Sequence, residues 1–344
     1  MRTEISLGKK LALAILFSFS QLSATAEAAS VAEFYRDKTI SIIVGSPPGS
    51  SYDLSARLIA RGLTRHLPGN PKVLLQYMTG ANSLITANHV YNVAPQDGLT
   101  IAAVARLTPF EPLFGNSNAR FDPIAVHWLG STASDNGVVV SWHTSSHRQT
   151  EDLFTKELVI GATVAGGDTF LYPMALNRLI GTKFKLIAGY AAPEPIAMAM
   201  ERGEVQGSGS WSWSNIPFAH SDWLKDKKIN LLLQLGLSAH PDIPDVPLAN
   251  NFAKSDEDLE ILNILLGMRK FSYPFFIAPG VPNDRATALI NAFSKSLSDD
   301  DFLSDASKQN RAFGMSTSDE LTQAIRRGYS LSKEIIERAR SIVK

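Results

Sequence analysis

Strand-like and helix-like segments alternate along most of the chain, and this alternation restricts the possible folds more than any other feature. Thr39–Val44 (TISIIV) is rich in β-branched residues, and a helical pattern over Tyr52–Leu67 follows it. A second strand-like run, Val73–Tyr77, precedes a helix over Leu84–Tyr91, and Thr100–Ala105 forms a third strand. This β-α-β-α-β order predicts an α/β fold with an open, mainly parallel sheet and helices on its faces.

The second half of the chain repeats this plan after the pattern changes near residues 121–130. The predicted strands there are Val138–Trp142, Leu158–Ala162, Lys185–Ala188 and Ile229–Leu235, and the predicted helices are Thr169–Leu179 and Glu194–Arg202. Further helices near Arg285–Leu297 and Asp319–Ala339 return to the first unit. Residues 30–344 form a longer chain than one core usually supports. We therefore assign 30–128 and 255–344 to domain I and 129–254 to domain II.

The first 29 residues have the pattern of a secretory signal peptide. Arg2, Lys9 and Lys10 precede the apolar run Leu11–Phe19, and the small residues 24–29 offer cleavage sites near Ala26–Ala29. The apolar run is too short to span a bilayer, and no later segment has eighteen consecutive apolar residues. We therefore expect an exported mature protein that does not insert into the membrane.

Composition restricts the compartment and the partners. The chain has no cysteine, which excludes disulfides and a lipidated cysteine anchor, so the periplasm is the expected location. It has 33 basic and 33 acidic residues, of which the leader holds three and two, so the mature chain carries one net negative charge. This balance argues against a broad nucleic-acid-binding or membrane-binding surface.

Four loops follow predicted strands and open helices: 46–53, 79–83, 165–169 and 190–194. In an open α/β sheet, ligands bind beyond the carboxyl ends of the strands, where helix amino termini present unpaired N–H groups to anions. One helix dipole contributes only about 0.3–1 kcal/mol, whereas micromolar binding needs about 8 kcal/mol. Several charge-assisted hydrogen bonds from both domains must therefore act together in a closed site.

Ordered motifs over nearly the whole mature chain resemble the Bug/TctC family, the periplasmic substrate-binding proteins of tripartite tricarboxylate transporters. VGSPPGSSYD at 44–53 resembles the family's V-P-F-P-P-G-G-x-T-D, and TGANS at 79–83 resembles P-G-A-G-G. The later matches are APQDGLT at 94–100, GY at 189–190 with GEV at 203–205, DVP at 245–247 and APGVP at 278–282.

The resemblance implies a type II periplasmic-binding-protein fold, in which two doubly wound α/β domains are joined by a hinge and hold the ligand in the cleft between them. It implies a small-molecule carboxylate as ligand, transporter membrane subunits as partners, no cofactor and a monomer. The ligand-binding residues that it implies, extended to their loop neighbours, are Ser46, Pro48, Ser50, Ser51, Tyr52, Asp53, Gly80, Ala81, Asn82, Ala165, Gly166, Gly167, Asp168, Thr169, Ala191 and Ala192.

The chain departs from the family pattern in the first loop. Ser46 replaces an aromatic residue, Ser50 and Ser51 replace the glycine pair, and Tyr52 replaces threonine. The helix amino terminus is retained, but the pocket wall is more polar and its aromatic residue has moved. The alternative is that these residues only form the turn and cap the helix.

Two charged residues each have two interpretations. Arg106 follows a strand at the ligand-binding edge, where it binds a second carboxylate or else pairs with Glu111 at the surface. Asp168 meets a hydroxyl or amine of the ligand, or only caps its helix.

Aromatic and imidazole residues are also ambiguous. Trp211 and Trp213 alternate in a Gly/Ser-rich run, and either one stacks on a planar ligand or both pack in the interior. His143 and His147 are four residues apart, but they lie in a predicted loop without a following glutamate, so we expect no metal site.

Binding without catalysis is the expected activity. The sequence has no G-x-S-x-G elbow, no nucleophilic cysteine and no phosphate-binding glycine loop, which disfavours a hydrolase. A dicarboxylate or an aromatic acid is the favoured ligand. Delivery to a transporter and presentation to a sensor protein both remain possible from the sequence.

Overall fold

The computed structural model describes residues 30–164, 166–308 and 315–343. The predicted signal peptide and Ala165 lie outside these residues. In chain order, the strands are β1 (Thr39–Val44), β2 (Lys72–Tyr77), β3 (Thr100–Ala103), β4 (His127–Ser131), β5 (Gly137–Trp142), β6 (Leu158–Ala162), β7 (Phe184–Ala188), β8 (Gly207–Ser212), β9 (Ile229–Leu235), β10 (Pro274–Ile277) and β11 (Ser316–Thr317).

Helices follow most of the strands. They are α1 (Ser51–His66), α2 (Leu84–Asn92), α3 (Asp152–Thr155), α4 (Asp168–Leu179), α5 (Pro193–Glu201), α6 (Asn215–Ala219), α7 (Ser221–Lys225), α8 (Asp256–Gly267), α9 (Asn283–Leu297), α10 (Asp300–Lys308), α11 (Ser318–Tyr329) and α12 (Lys333–Val343). Residues 30–35 are also helical, and short 3₁₀ turns cover 81–83, 108–110, 249–252 and 268–270. Across the described residues, helices long and apolar enough to traverse a bilayer are absent.

The strands form two sheets. The first sheet runs β11-β4-β10-β3-β1-β2 and the second, written in the corresponding direction, runs β9-β5-β8-β6-β7. Apart from the additional edge strand β11, the two sheets have the same topology. In the first sheet, β10 pairs antiparallel with β3 and β4, while β1 pairs parallel with β2 and β3. In the second, β5 pairs antiparallel with β8 and β9, while β6 pairs parallel with β7 and β8. Strands β5 and β10 are thus each the first that the chain forms after crossing from the other sheet, and β11 adds a further antiparallel pair with β4.

Helices cover both faces of the first sheet, as the residues of β1 illustrate. Ile40, Ile42 and Val44 are buried in a core that helices α1 and α9 complete. The intervening Ile43 belongs to a different core, together with Leu84 of α2. Because alternate side chains of a strand point to opposite faces, β1 is buried on both sides, which accounts for its nearly continuous apolar sequence.

Two crossing segments, 132–136 and 269–273, connect the sheets and are hydrogen-bonded to each other. The N–H of Ser272 donates to the carbonyl of Ala133 over 2.9 Å, and the N–H of Asp135 donates to the carbonyl of Arg269 over 3.3 Å. The N–H of Tyr273 donates to Ser131 Oγ over 3.1 Å. These bonds make the two connections one paired unit at the junction of the sheets.

Several elements differ from the sequence-based prediction. Strands β4, β8 and β10 were not predicted, and the helix predicted over Asp319–Ala339 is two helices, α11 and α12. Ser330 ends α11, and Ser332 Oγ accepts a hydrogen bond from the N–H of Ile335 at the start of α12. Serine side chains that bond to backbone groups interrupt the helical pattern here, although the apolar spacing continues across the break.

The close packing of α1 against α9 generates a test of the fold. A Cβ atom on Gly62 would lie 2.3 Å from Ser296 Cβ, and both residues are buried. We expect Gly62→Ala to lower the free energy of unfolding by about 1–3 kcal/mol, because the helices must separate to admit the methyl group. Gly267→Ala is the control, since its nearest neighbouring atom is 3.7 Å away. Denaturant unfolding that ranks the two variants equally would contradict this packing.

Candidate functional site

The loop between β1 and α1 is shaped by its own polar side chains. Ser50 is the N-cap of α1, and its Oγ accepts a hydrogen bond from the N–H of Asp53 over 3.3 Å. Asp53 is buried, and its Oδ2 accepts from the N–H of Gly49 over 2.7 Å. The Tyr77 hydroxyl donates to Asp53 Oδ1 over 2.7 Å. Ser50 and Asp53 therefore form the turn, and neither side chain needs a ligand to satisfy these bonds.

Other residues of the same loop are accessible to solvent. Pro48 is exposed, and Ser46, Ser51 and Tyr52 are partly buried. Ser83 Oγ donates to the carbonyl of Gly45 over 3.1 Å, and a Cβ atom on Gly45 would lie 2.4 Å from Ser83 Cβ. The loops after β1 and β2 are therefore packed directly against each other, as expected for neighbouring parallel strands.

The Asp53 contacts predict a pH-dependent contribution to stability. Burial acts to raise the pKa of Asp53, but hydrogen bonds from Gly49, Tyr77 and Arg57 outweigh burial and lower it. A lowered pKa stabilises the folded state above the ordinary aspartate pKa, and this stabilisation is lost as the pH falls through the lowered value.

We expect Asp53→Asn to reduce the free energy of unfolding at neutral pH by about 1–3 kcal/mol. The difference from the parent protein should shrink as the pH falls into the acidic range. Asp245→Asn, at an exposed position, should leave the pH dependence unchanged. Denaturant titrations over this pH range provide the measurement, and a constant difference for Asp53→Asn would contradict the assigned contacts.

The turn before α2 has an unusual backbone. Gly80 has φ 133°, and Ala81, Asn82 and Ser83 have φ values of 43°, 51° and 68°. Three successive non-glycine residues in the left-handed region are costly, about 1–2 kcal/mol each, because Cβ approaches the following carbonyl oxygen. Such strain persists only where surrounding contacts fix it, and it concentrates at functional sites.

The strained turn holds Asn82 against the second unit. Asn82 Nδ2 donates to the carbonyl of Gly166 over 3.0 Å, and the Asn82 carbonyl accepts from Thr108 Oγ1 over 2.9 Å. The Glu111 carboxyl group lies close to the Asn82 side chain. Burial raises the pKa of Glu111, although its contacts with Asn116 and Asn82 act in the opposite direction. The predicted loops 79–83 and 165–169 are thus in direct contact.

Backbone strain at Ala81 can be tested by a single substitution. We expect Ala81→Gly to raise the free energy of unfolding by up to about 1 kcal/mol, because glycine adopts positive φ without the Cβ penalty. Ala288→Gly, inside α9, should instead lower it by about 0.5–1 kcal/mol. A loss of stability in both variants would argue against a strained turn.

Arg106 follows β3 and is buried at the junction of the two units. Its side chain is 6% exposed, and its Nε lies 3.3 Å from Asp168 Oδ2 at the start of α4. The two atoms form an ion pair, but they are not aligned as a hydrogen bond. Within the part of the chain that the structure describes, neither Nε nor Nη1 of Arg106 has a hydrogen-bond partner. The proposed surface pairing of Arg106 with Glu111 is therefore not what the structure contains.

Tyr52 and Tyr273 lie beside Arg106. The Tyr52 hydroxyl lies beside the backbone of Arg106, and the Tyr52 and Tyr273 rings meet edge to face with centroids 4.8 Å apart. Burial raises the pKa of Tyr52 to about 12, so this phenol is neutral at physiological pH. Burial alone would lower the pKa of Arg106, but the Asp168 charge outweighs burial and raises it. Arg106 is therefore a permanent cation.

Arg269 is a second buried cation that the sequence analysis did not identify. Its side chain is 2% exposed, and its Nη1 donates to Asp168 Oδ2 over 3.3 Å and to Ser210 Oγ over 3.2 Å. Its Nε donates to the carbonyl of Asp135 over 3.3 Å, and its guanidinium lies 5.2 Å from the centroid of the Tyr172 ring. We call Arg106, Asp168 and Arg269 the junction cluster. The sequence around Arg269 carries no motif, and only the crossing of the chain buries it.

The remaining predicted residues of the second unit lie on two loops. Gly167 is the N-cap of α4, and Thr169 Oγ1 accepts from the N–H of Thr163 over 2.9 Å, which closes the loop after β6. Ala192 is the N-cap of α5 without a side-chain bond, and Ala191 is exposed. These loops present backbone groups at helix amino termini.

Trp211 and Trp213 are both buried in the second unit. Trp211 is 3% exposed and packs against Trp223 and His220, with ring centroids 5.6 Å away in each case. Among residues 30–164, 166–308 and 315–343, its Nε1 has no partner. Trp213 Nε1 donates to Asp242 Oδ2 over 3.3 Å. Of the two interpretations, interior packing describes the position of both side chains, and a ligand contact of Trp211 stays a prediction.

The two histidines considered for a metal site have other contacts. His147 is buried, with Nδ1 3.2 Å from Ser145 Oγ and Nε2 3.3 Å from the carbonyl of Lys156. His143 packs against the Trp142 ring. The described residues contain no group of three or more His, Cys, Asp or Glu side chains placed to hold a metal ion.

Comparison with known proteins identifies the fold. Similar solved structures include a TctC solute binding protein from Polaromonas without ligand, at 17% identity and a TM-score of 0.65, covering 88% of this chain and 99% of that chain. MatC from Rhodopseudomonas palustris with bound malate is 17% identical, with a TM-score of 0.64 and coverages of 89% and 99%. An R. palustris protein with adipate is 16% identical, with a TM-score of 0.65 and coverages of 88% and 97%.

No protein-family model and no curated protein matches this sequence. The structural similarity nevertheless extends over most of the chain, and it agrees with the strand order of the two sheets and with the motifs at 44–53 and 79–83. The protein therefore has the two-unit α/β fold of the Bug/TctC periplasmic binding proteins.

Proposed function

We propose that this protein is a periplasmic receptor that captures a small organic carboxylate between its two domains and delivers it to a tripartite tricarboxylate-type transporter. Domain I would comprise 30–128 and 255–344, and domain II would comprise 129–254. The fold supports this proposal, as do the malate and adipate named with two of the similar structures. The protein would act as a monomer that binds without turnover, after cleavage of its signal peptide.

The junction cluster is the single observation that carries the proposal. Arg106 and Arg269 are buried cations that share one carboxylate, so the three groups in contact carry one net positive charge. A buried unpaired charge costs several kcal/mol, and an anion that reaches Arg106 would remove this cost while satisfying its free N–H groups. The cluster therefore favours an acid as the ligand.

The position of the cluster agrees with this role. Arg106 follows β3, and Asp168 begins α4 after β6, so strands of both sheets direct their carboxyl ends towards it. Helices α1 and α4 start at the loops that contribute Tyr52 and Asp168. A ligand held here would meet the positive ends of helices together with a guanidinium group, which is the combination that the binding energy requires.

The ligand class follows from the surrounding side chains. One acid group would bind at the loops 46–53 and 80–82, and Arg106 would hold a second acid group, which favours a dicarboxylate. An aromatic acid is supported less by Trp211, which is buried in the core, than by the Tyr52–Tyr273 pair beside Arg106.

Replacing the guanidinium group tests the proposal. We expect Arg106→Gln to weaken binding of the preferred carboxylate by about ten- to hundredfold, because a charge-assisted hydrogen bond contributes about 1.5–3 kcal/mol. The affinity of Arg106→Lys should lie between those of the parent protein and Arg106→Gln, because lysine keeps the charge but lacks the planar pair of donors. The measurement is isothermal titration calorimetry after a thermal-shift screen of carboxylates.

Arg120→Gln is the matched control, because Arg120 is exposed on the surface of the first unit. It should leave the affinity unchanged, and circular dichroism should show that all variants are folded. Equal affinity of Arg106→Gln and the parent protein would remove Arg106 from the site. Loss of carboxylate uptake, without loss of transcriptional induction, in a deletion strain would favour a transporter over a sensor as the partner.

A further inference from the structure

We propose that Arg269 makes the site select against ligands with an ammonium group, so that the receptor takes carboxylic acids and rejects the corresponding amino acids. This inference rests on the proposed function and adds a specificity to it. Arg269 acts as a positioning residue, since it would exert this effect through Asp168.

Asp168 is the carboxylate in the junction cluster that an ammonium group would need. Its side chain is 27% exposed, but its Oδ2 already contacts Arg106 and Arg269, both at 3.3 Å. The nearby carboxylate of Asp135 accepts from the N–H and Oγ of Ser214, over 3.2 and 3.1 Å. Asp168 Oδ2 and both carboxylate oxygen atoms of Asp135 are thus used within the protein.

Arg269 cannot easily leave Asp168. Its Nε and Nη1 are bonded to Asp135 and Ser210, and a Cβ atom on Gly137 would lie only 2.6 Å from its Cζ. The guanidinium is therefore fixed between the crossing segments and β8, whatever occupies the cleft. Its charge is permanent, because arginine does not deprotonate in proteins.

The electrostatic consequence is a site that repels a second cation. Within the junction cluster, two guanidinium groups and one carboxylate leave one net positive charge. The nearby Asp135 carboxylate is bonded to Ser214 instead. Like charges within a few ångströms in a poorly solvated site repel strongly. A ligand carboxylate is attracted to Arg106, whereas an α-ammonium group meets uncompensated positive charge.

Matched pairs of ligands that differ by an ammonium group provide the test. The probes are succinate and aspartate, glutarate and glutamate, and 3-phenylpropionate and phenylalanine, each titrated calorimetrically into the mature protein. In each pair whose acid binds, we expect the affinity of the protein for the acid to exceed its affinity for the amino acid by about tenfold or more. Equal affinities, or a preference for the amino acid, would overturn this inference and leave the proposed function intact.

Substitutions then assign the selectivity to the cluster. Arg269→Gln should reduce the ratio of the affinity for the acid to the affinity for the amino acid, because the Asp168 carboxylate can then interact with the ammonium group of the ligand. Asp168→Asn should increase this ratio. Asp256→Asn is the control, since Asp256 is likewise the first residue of its helix but is exposed. If the cluster has only a structural role, the substitutions will weaken binding of the acid and of the amino acid equally, and this result would overturn the inference. Failure of all six probes to bind would reject it together with these acids as ligands.

Discussion

Two buried guanidinium groups share a single carboxylate where the two sheets of this protein meet, and the features around that point can be understood from this imbalance. Arg106 follows strand β3 of the first sheet, Asp168 begins the helix after strand β6 of the second, and Arg269 lies on a segment that crosses between the sheets. Desolvating such groups is costly unless each is paired and hydrogen-bonded. Arg269 meets this requirement through Asp135 and Ser210, whereas two nitrogen atoms of Arg106 have no hydrogen-bond partner among the residues that the structure describes. In the proposed function, Arg106 is therefore the cation that the acid group of the ligand would reach.

The loops around the cluster contain residues that build the turn and residues that contact Arg106 or the other unit. Ser50 caps α1 and Asp53 closes its loop, so both have an architectural part in the family-like motif, and a ligand contact of either stays a prediction. Tyr52, where the family pattern has threonine, contacts the Arg106 backbone and the Tyr273 ring. The departure from the motif thus places an aromatic wall beside the unsatisfied guanidinium, and Asn82 joins the loops of the two units through a strained turn.

Local patterns predicted a large part of this architecture. The bounds of β1, β6 and β9 follow from compact runs of branched apolar residues. The helix start at Leu84 was predicted from the loop before it, and α1 begins at Ser51, one residue before the predicted start at Tyr52. Strand β8 was missed because GSGSWS has a low strand propensity, and it forms only between β6 and β5. Arg269 was missed for a related reason. Its burial depends on partners far away in sequence, such as Asp168 and Ser210, which no local pattern reveals.

The most direct test of this account is a crystal structure of the mature protein with the tightest-binding acid from a carboxylate screen. The account predicts a ligand carboxylate oxygen within about 3 Å of Arg106 Nη1 or Nε, with Asp168 still in contact with Arg269. An acid bound elsewhere, with Arg106 Nε and Nη1 forming no hydrogen bond to it, would contradict the claim that the junction cluster is the anion site.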